Sequence, residues 1–158
     1  METTQNIASL MIPMWGEPIL IPNTAVAEVI GFVMPEGGDG KDFIGFIKWR
    51  GLSIPVINLE PDAPPVDDIG RAARIAVLNT ATGNESMSFI AVLVNGIPRI
   101  NNIREDDLKY TEDDEKVSDG IQARVLLGQE VVRLVDLIKL EEMAKKFSKI
   151  IEEANKSH

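Results

Sequence analysis

Phe43-Ile44-Gly45-Phe46-Ile47-Lys48-Trp49-Arg50-Gly51-Leu52-Ser53-Ile54-Pro55-Val56-Ile57-Asn58-Leu59 is the stretch that decides the fold. Two apolar, β-branched runs flank Arg50-Gly51, and glycine takes a positive φ without steric penalty, so the segment reads as two strands joined by a tight turn. A side chain at the tip of such a turn faces solvent. Arginine there offers five donors in a rigid planar fork, a shape matched to a carboxylate on another surface. The first functional expectation is therefore recognition, with Arg50 at its centre.

Outward from this hairpin, short Val- and Ile-rich runs recur with turn residues between them, the pattern of a mostly β protein. Ile7 to Met14 and Glu17 to Pro22 read as a hairpin across Trp15-Gly16. Asn23 is placed to cap a short helix from Thr24 to Ile30, with Val26 and Ile30 on one side and Glu28 on another. Met34 to Lys41 reads as a loop, and the proline-rich, acidic Glu60 to Asp68 as an exposed connection. Arg74 to Thr80 and Ser88 to Val94 are strands. Asn95-Gly96 is a strong signal for a type I′ turn, with Ile97 to Ile103 returning as its partner strand. Arg104 to Ser118 reads as a surface loop, and Gly120 to Leu127 with Glu130 to Val135 as a third hairpin over Gly128-Gln129. Asp136 is placed to cap a final helix, 137–154, where Leu140, Ala144, Phe147 and Ile151 form an apolar stripe and Glu141/Lys145 and Glu142/Lys146 form i,i+4 pairs. The first six and last four residues are expected to be flexible.

The 158 residues, 44% hydrophobic, fit one domain or two small modules sharing a core. A net charge of −9 disfavours nucleic acid, since Lys48 and Arg50 alone do not make a basic stripe. There is no cysteine, so disulfides and thiolate chemistry are excluded. No run approaches the ~18 apolar residues of a membrane span and no signal-peptide pattern opens the chain, so direct membrane insertion is not expected and the cytoplasm is. The sole histidine is His158, at the last position, which argues against a Ser-His-Asp triad. Gly37-Gly38-Asp39-Gly40-Lys41 lacks the hydroxyl and helix of a phosphate loop, and Asp67-Asp68, Asp106-Asp107 and Glu112 to Glu115 lack the spacing of a calcium loop. An enzyme would have to assemble its carboxylates in an acidic cleft between the two halves.

The residues Gly45, Trp49, Arg50, Gly51, Ile54, Pro55, Val56, Ile57 and Leu59 resemble the signature of the CheW family of chemotaxis coupling proteins: a glycine, an apolar run, Leu-Arg-Gly, then an Ile-Pro-Val-Ile-x-Leu strand. Here Lys48-Trp49 stands where the family commonly has Asn-Leu. The resemblance runs over residues 7–140 and implies a mainly β fold of two interleaved five-stranded, Src-homology-3-like barrels, with a short helix in the N-terminal half and a C-terminal helix. It implies a non-enzymatic adaptor without cofactors. Such an adaptor couples the cytoplasmic tip of a methyl-accepting chemoreceptor to a CheA-type histidine kinase of a two-component system, at membrane receptor arrays. Gly45, Lys48, Trp49, Arg50 and Gly51 are then candidate partner-binding residues. Val26 and Glu28, matching a Val-x-Glu of the first barrel, and Val94, Asn95 and Gly96, matching a Val-Asp-Gly turn of the second, join them. Strand alternation also permits Trp49 and Val26 to be core, and a turn role alone accounts for Asn95-Gly96. A CheW-fold competitor that binds receptors without recruiting kinase is the alternative. Leu10 to Pro13, Ile21 to Ile30 and Arg74 to Asn79 look closest to the ChpC-type branch, which accompanies type IV pilus chemosensory systems and twitching motility.

Overall fold

Arg74–Asn79 and Phe89–Val94 carry apolar side chains at successive positions, which suits strands that bury both faces. The computed structural model, which describes residues 6–38, 43–60, 63–80, 88–110 and 120–156, shows the arrangement that requires this. The first sheet contains β1 (Asn6–Ile12), β2 (Ile19–Pro22) and, much later, β9 (Arg99–Arg104), β10 (Leu108–Tyr110), β11 (Ile121–Leu127) and β12 (Glu130–Val135). The second contains β3 (Val26–Gly31), β4 (Glu36–Gly37), β5 (Phe43–Trp49), β6 (Leu52–Ile57), β7 (Arg74–Asn79) and β8 (Phe89–Val94). Spatial orders are β10-β11-β12-β2-β1-β9 and β3-β7-β8-β6-β5-β4. Pairing is antiparallel except where β12 meets β2 and β6 meets β8. The chain thus starts the first sheet, builds all of the second, and returns to finish the first.

Side-chain alternation assigns each face a different core. On β7, Ile75 and Val77 point into the second sheet's own interior with Trp49, Ile54, Val56 and Leu93. Ala76 and Leu78 point the other way, into a core shared with Leu10, Ile12, Ile19 and Ile21 of the first sheet. Met11 and Leu20 turn back into the first sheet's interior, with Ile103, Val125 and Val132. Helix α1 (Leu137–Lys156) seals the shared core with fully buried Leu140 and Ala144, while Phe147 stacks on Phe43 at 5.8 Å between ring centroids. Asp136 caps it, its Oδ1 accepting the Lys139 N–H at 3.0 Å. The Glu141/Lys145 pair forms at 3.6 Å. The Ile151 side chain, His158, Glu112 to Glu115 and part of the 37–41 glycine loop lie outside the described residues.

Several expectations are corrected. Residues 24–30 are not a helix: a single 3-10 turn, Asn23–Ala25, without a side-chain cap, leads into β3, whose Val29 and Ile30 pair with Ala76 and Ile75 of β7. Cross-strand packing of β-branched residues outweighs the local capping signal. Asn95-Gly96 does not close a hairpin, because β8 pairs with β7 and β6 while β9 pairs with β1. The segment crosses between sheets instead. Neither residue has a positive φ. The Asn95 N–H donates to the Pro13 carbonyl at 2.9 Å, and a Cβ on Gly96 would sit 2.8 Å from Pro13 Cγ, so close approach rather than turn geometry explains this glycine. Among the described residues each small barrel carries one very short edge strand beyond the five expected, β4 and β10, and these occupy segments expected to be loop. The hairpins β1–β2, β5–β6 and β11–β12 form as the sequence predicts, and the strands at Arg74–Asn79 and Phe89–Val94 form and pair with each other.

Glu60, expected on an exposed connection, is 2% exposed. Its carboxylate pairs with Arg133 of β12 and accepts the Gly16 N–H at 3.0 Å. Arg133 Nε also donates to the Glu17 carbonyl at 3.0 Å. The Glu17 carboxylate takes a two-pronged bond from Arg124 of β11, 2.8 Å from Nε and 2.7 Å from Nη2. The chain leaving β6 is thereby fastened to β11, β12 and the β1–β2 turn. The Arg124 hydrogen bond holds the Glu17 carboxyl below its usual range against the opposing effect of partial burial, with the charges of Arg124 and Arg133 helping.

Arg133→Met, which leaves Glu60 buried without its guanidinium, is expected to lower unfolding free energy by roughly 3–5 kcal/mol in a urea titration, and Glu60→Leu/Arg133→Met to recover most of that loss. Because the folded pKa of Glu17 is depressed, its contribution to stability is complete above the unfolded value of about 4.3 and disappears as pH falls through the folded value. Urea midpoints measured from pH 7 to pH 3 should therefore fall less in Glu17→Gln than in the unaltered protein.

Candidate functional site

The pairing of Trp49 with Leu52 leaves Arg50 and Gly51 as a two-residue loop with φ of 48° and 79°. Positive φ at both positions is the requirement of a type I′ turn, whose twist matches that of the flanking strands. Arg50 is the one non-glycine residue with positive φ among the described residues. A left-handed conformation disfavours a β-carbon by about 1–2 kcal/mol, and asparagine or glycine would fit better, so the turn gives up stability to display a guanidinium. No neighbour lies within 4 Å of a Cβ built on Gly51, so φ alone calls for glycine there.

Glu28 reaches this tip from β3, at the opposite end of the strand order, where a register shift between Val26 and Glu28 re-aims the side chains. Its Oε2 accepts the Trp49 indole N–H at 2.8 Å and meets Arg50 Nη2 at 3.4 Å. These side-chain contacts link β3 to the β5–β6 turn across the second sheet. The Arg50 guanidinium also lies over the Trp49 ring, 4.5 Å from its centroid, and the indole packs edge-on against Phe89 at 4.8 Å. Arg50 is 68% exposed and Trp49 6%. The carboxylate expected on another surface is thus met within the chain, by Glu28, in an exposed pairing of the kind worth about 0–1 kcal/mol.

The structure gathers Glu28, Trp49, Arg50 and Gly51 at one point, with exposed Lys48 beside them on β5. It separates the rest. Gly45 is buried, with φ of 145°, and a Cβ there would come within 2.7 Å of the Glu36 carbonyl, so it serves the β4–β5 contact. Val26 is half-buried against the shared core. Val94 is fully buried, so its side chain takes no direct part in a surface. Asn95 and Gly96 are engaged at Pro13. Sequence reasoning missed Leu52, 45% exposed and directly across from Trp49 in register, although two-residue hairpin pairing identifies that position. Among the described residues the layer between the sheets is packed with apolar side chains, and the acidic groups at its seam, Glu60 and Glu17, are paired with Arg133 and Arg124. Among the described residues no group of three His, Asp or Glu side chains is placed to hold a metal ion, and no helix is long and apolar enough to cross a membrane. What the tip offers chemically is recognition: hydrogen-bond donors, positive charge and a small apolar contact.

Comparison with curated protein sequences gives no match. Twelve chains of solved structures match, among them the scaffolding protein TtCheW from Thermoanaerobacter tengcongensis, with a TM-score of 0.65 and 14% identity over 86% of this chain and 88% of that one. That likeness establishes the fold of two small barrels. The family model for the CheW-like domain matches residues 9–145. The chain accordingly belongs to the CheW-like domain family.

Proposed function

We propose that this chain is a non-enzymatic coupling adaptor of chemosensory signalling, bridging the cytoplasmic tip of a chemoreceptor to a CheA-type histidine kinase. The observation that carries the reading is the presentation of Arg50: an exposed guanidinium in an unfavourable backbone conformation on a rigid two-residue turn, stacked on a buried indole. Strain of that kind, retained on an otherwise regular scaffold, marks a position kept for contact with something else. Membership of the CheW-like family and likeness to a scaffolding protein support the same conclusion. Rigid turns and strand edges suffice for such work, and neither a cofactor nor an activated nucleophile is needed.

The finer assignment rests on Leu10 to Pro13, Ile21 to Ile30 and Arg74 to Asn79, which resemble the ChpC-type branch. On that basis the protein serves a type IV pilus system and its output is twitching motility, exercised in the cytoplasm at membrane receptor arrays. The competitor reading makes the opposite prediction for kinase activity: an adaptor raises receptor-dependent autophosphorylation of the kinase, and a competitor lowers it.

Arg50→Glu reverses the charge at an exposed turn and places a second carboxylate beside Glu28. It is expected to leave the far-ultraviolet circular dichroism unchanged while weakening binding to a chemoreceptor tip by at least roughly ten-fold in a titration at moderate ionic strength. Unchanged affinity would remove Arg50 from the binding surface.

A further inference from the structure

Glu28 Oε2 receives two donors at unequal distances, the indole N–H of Trp49 at 2.8 Å and the guanidinium of Arg50 at 3.4 Å. The indole holds the better position. A carboxylate free to turn toward a guanidinium commonly pairs with it in two-pronged fashion, and this molecule shows that geometry at Glu17 and Arg124, with bonds of 2.8 and 2.7 Å. Arg50 instead engages Glu28 through Nη2 alone and lies with one face over the indole, 4.5 Å from its centroid. Trp49 cannot follow Glu28 outward, because it is 6% exposed and packed on Phe89.

We propose that Trp49 is a positioning residue for Arg50: its indole N–H holds the Glu28 carboxylate, so that the guanidinium stays presented to a partner's carboxylate rather than closing onto Glu28. The proposal rests on the reading of the hairpin tip as a partner-binding surface. It also specifies the partner's chemistry. Lys48 and Arg50 are exposed cations on a chain of net charge −9, and Leu52 is an exposed apolar side chain across from Trp49. The complementary segment carries an acidic side chain next to an apolar one, and its ordering cost falls because the guanidinium is already oriented.

The test measures affinity for one probe, a chemoreceptor cytoplasmic tip from the same organism, across four variants whose folding is checked by thermal melting. Trp49→Phe keeps the ring against Phe89 but removes the N–H, freeing Glu28 to capture Arg50, and is expected to weaken binding roughly ten-fold. Trp49→Phe/Glu28→Gln should recover most of that loss, since a neutral amide does not hold the guanidinium. Glu28→Gln alone tests the idea without touching Trp49: in the proposed arrangement Glu28 is an internal competitor for Arg50 rather than a group that touches the partner, so binding should tighten, with a shifted indole Nε1–H resonance. Equal binding by Trp49→Phe, failure of the double variant to recover, or weakened binding by Glu28→Gln would each overturn the positioning role. Arg50→Glu separates this from the underlying reading: if it leaves affinity unchanged, the binding surface itself is wrongly placed, whereas loss of binding there leaves the other three variants to decide the role of Trp49.

Discussion

Four central strands, β1, β2, β7 and β8, have almost no solvent face where they cross the middle of the molecule, and the architecture follows from that constraint. One set of side chains fills each sheet's own interior, and the alternate set fills a common layer that α1 completes. Neither sheet can keep its apolar faces covered by itself. Each strand's register is therefore held from both sides, because a slip of one residue would exchange two different cores. This two-sided confinement makes the scaffold rigid enough for a two-residue turn to hold Arg50 in an unfavourable conformation.

Four charged groups within this apolar arrangement occupy a seam. Glu60, Arg133, Glu17 and Arg124 link the exit of β6 to β11, β12 and the first turn of the chain, and Gly16 gives up a side chain so that its N–H reaches Glu60. Removing water from such charges is expensive, and their mutual bonds offset the expense only in one geometry. The network thereby penalises alternative arrangements of the two sheets that the non-directional apolar core would tolerate. Glu28, Trp49 and Arg50 do the opposite at the surface, where their weak and partly exposed contacts leave the guanidinium available.

Much of this was legible in the sequence, for reasons that differ by element. The Arg50-Gly51 hairpin was legible because turn chemistry and alternation are local, and the final helix because its cap, stripe and charge pairs all agree. The strand at Val26 was not, since Asn23-Thr24 offers a genuine local capping signal and only pairing with β7 overrides it. Asn95-Gly96 misled in a similar way: a glycine needed for clearance from Pro13 is indistinguishable in sequence from one needed for positive φ. Glu60 sits in a run of prolines and acids that reads as solvated, and its partner Arg133 lies far along the chain, where no periodicity connects them. Of the site, Arg50, Gly51 and the neighbouring Trp49 were readable from one segment. The convergence of Glu28 on them depends on the curl of a sheet that local patterns do not encode.

The interrupted order of the first sheet has a consequence for how the chain is made. At roughly 5–20 residues per second on a ribosome, the opening hairpin emerges seconds before the strands that flank it on both sides. During that interval Leu10, Ile12, Ile19 and Ile21 have neither β9 and β12 beside them nor α1 above. The nascent protein thus carries an adhesive ribbon until β12 and α1 have been synthesised, the kind of transiently exposed apolar surface that chaperones cover.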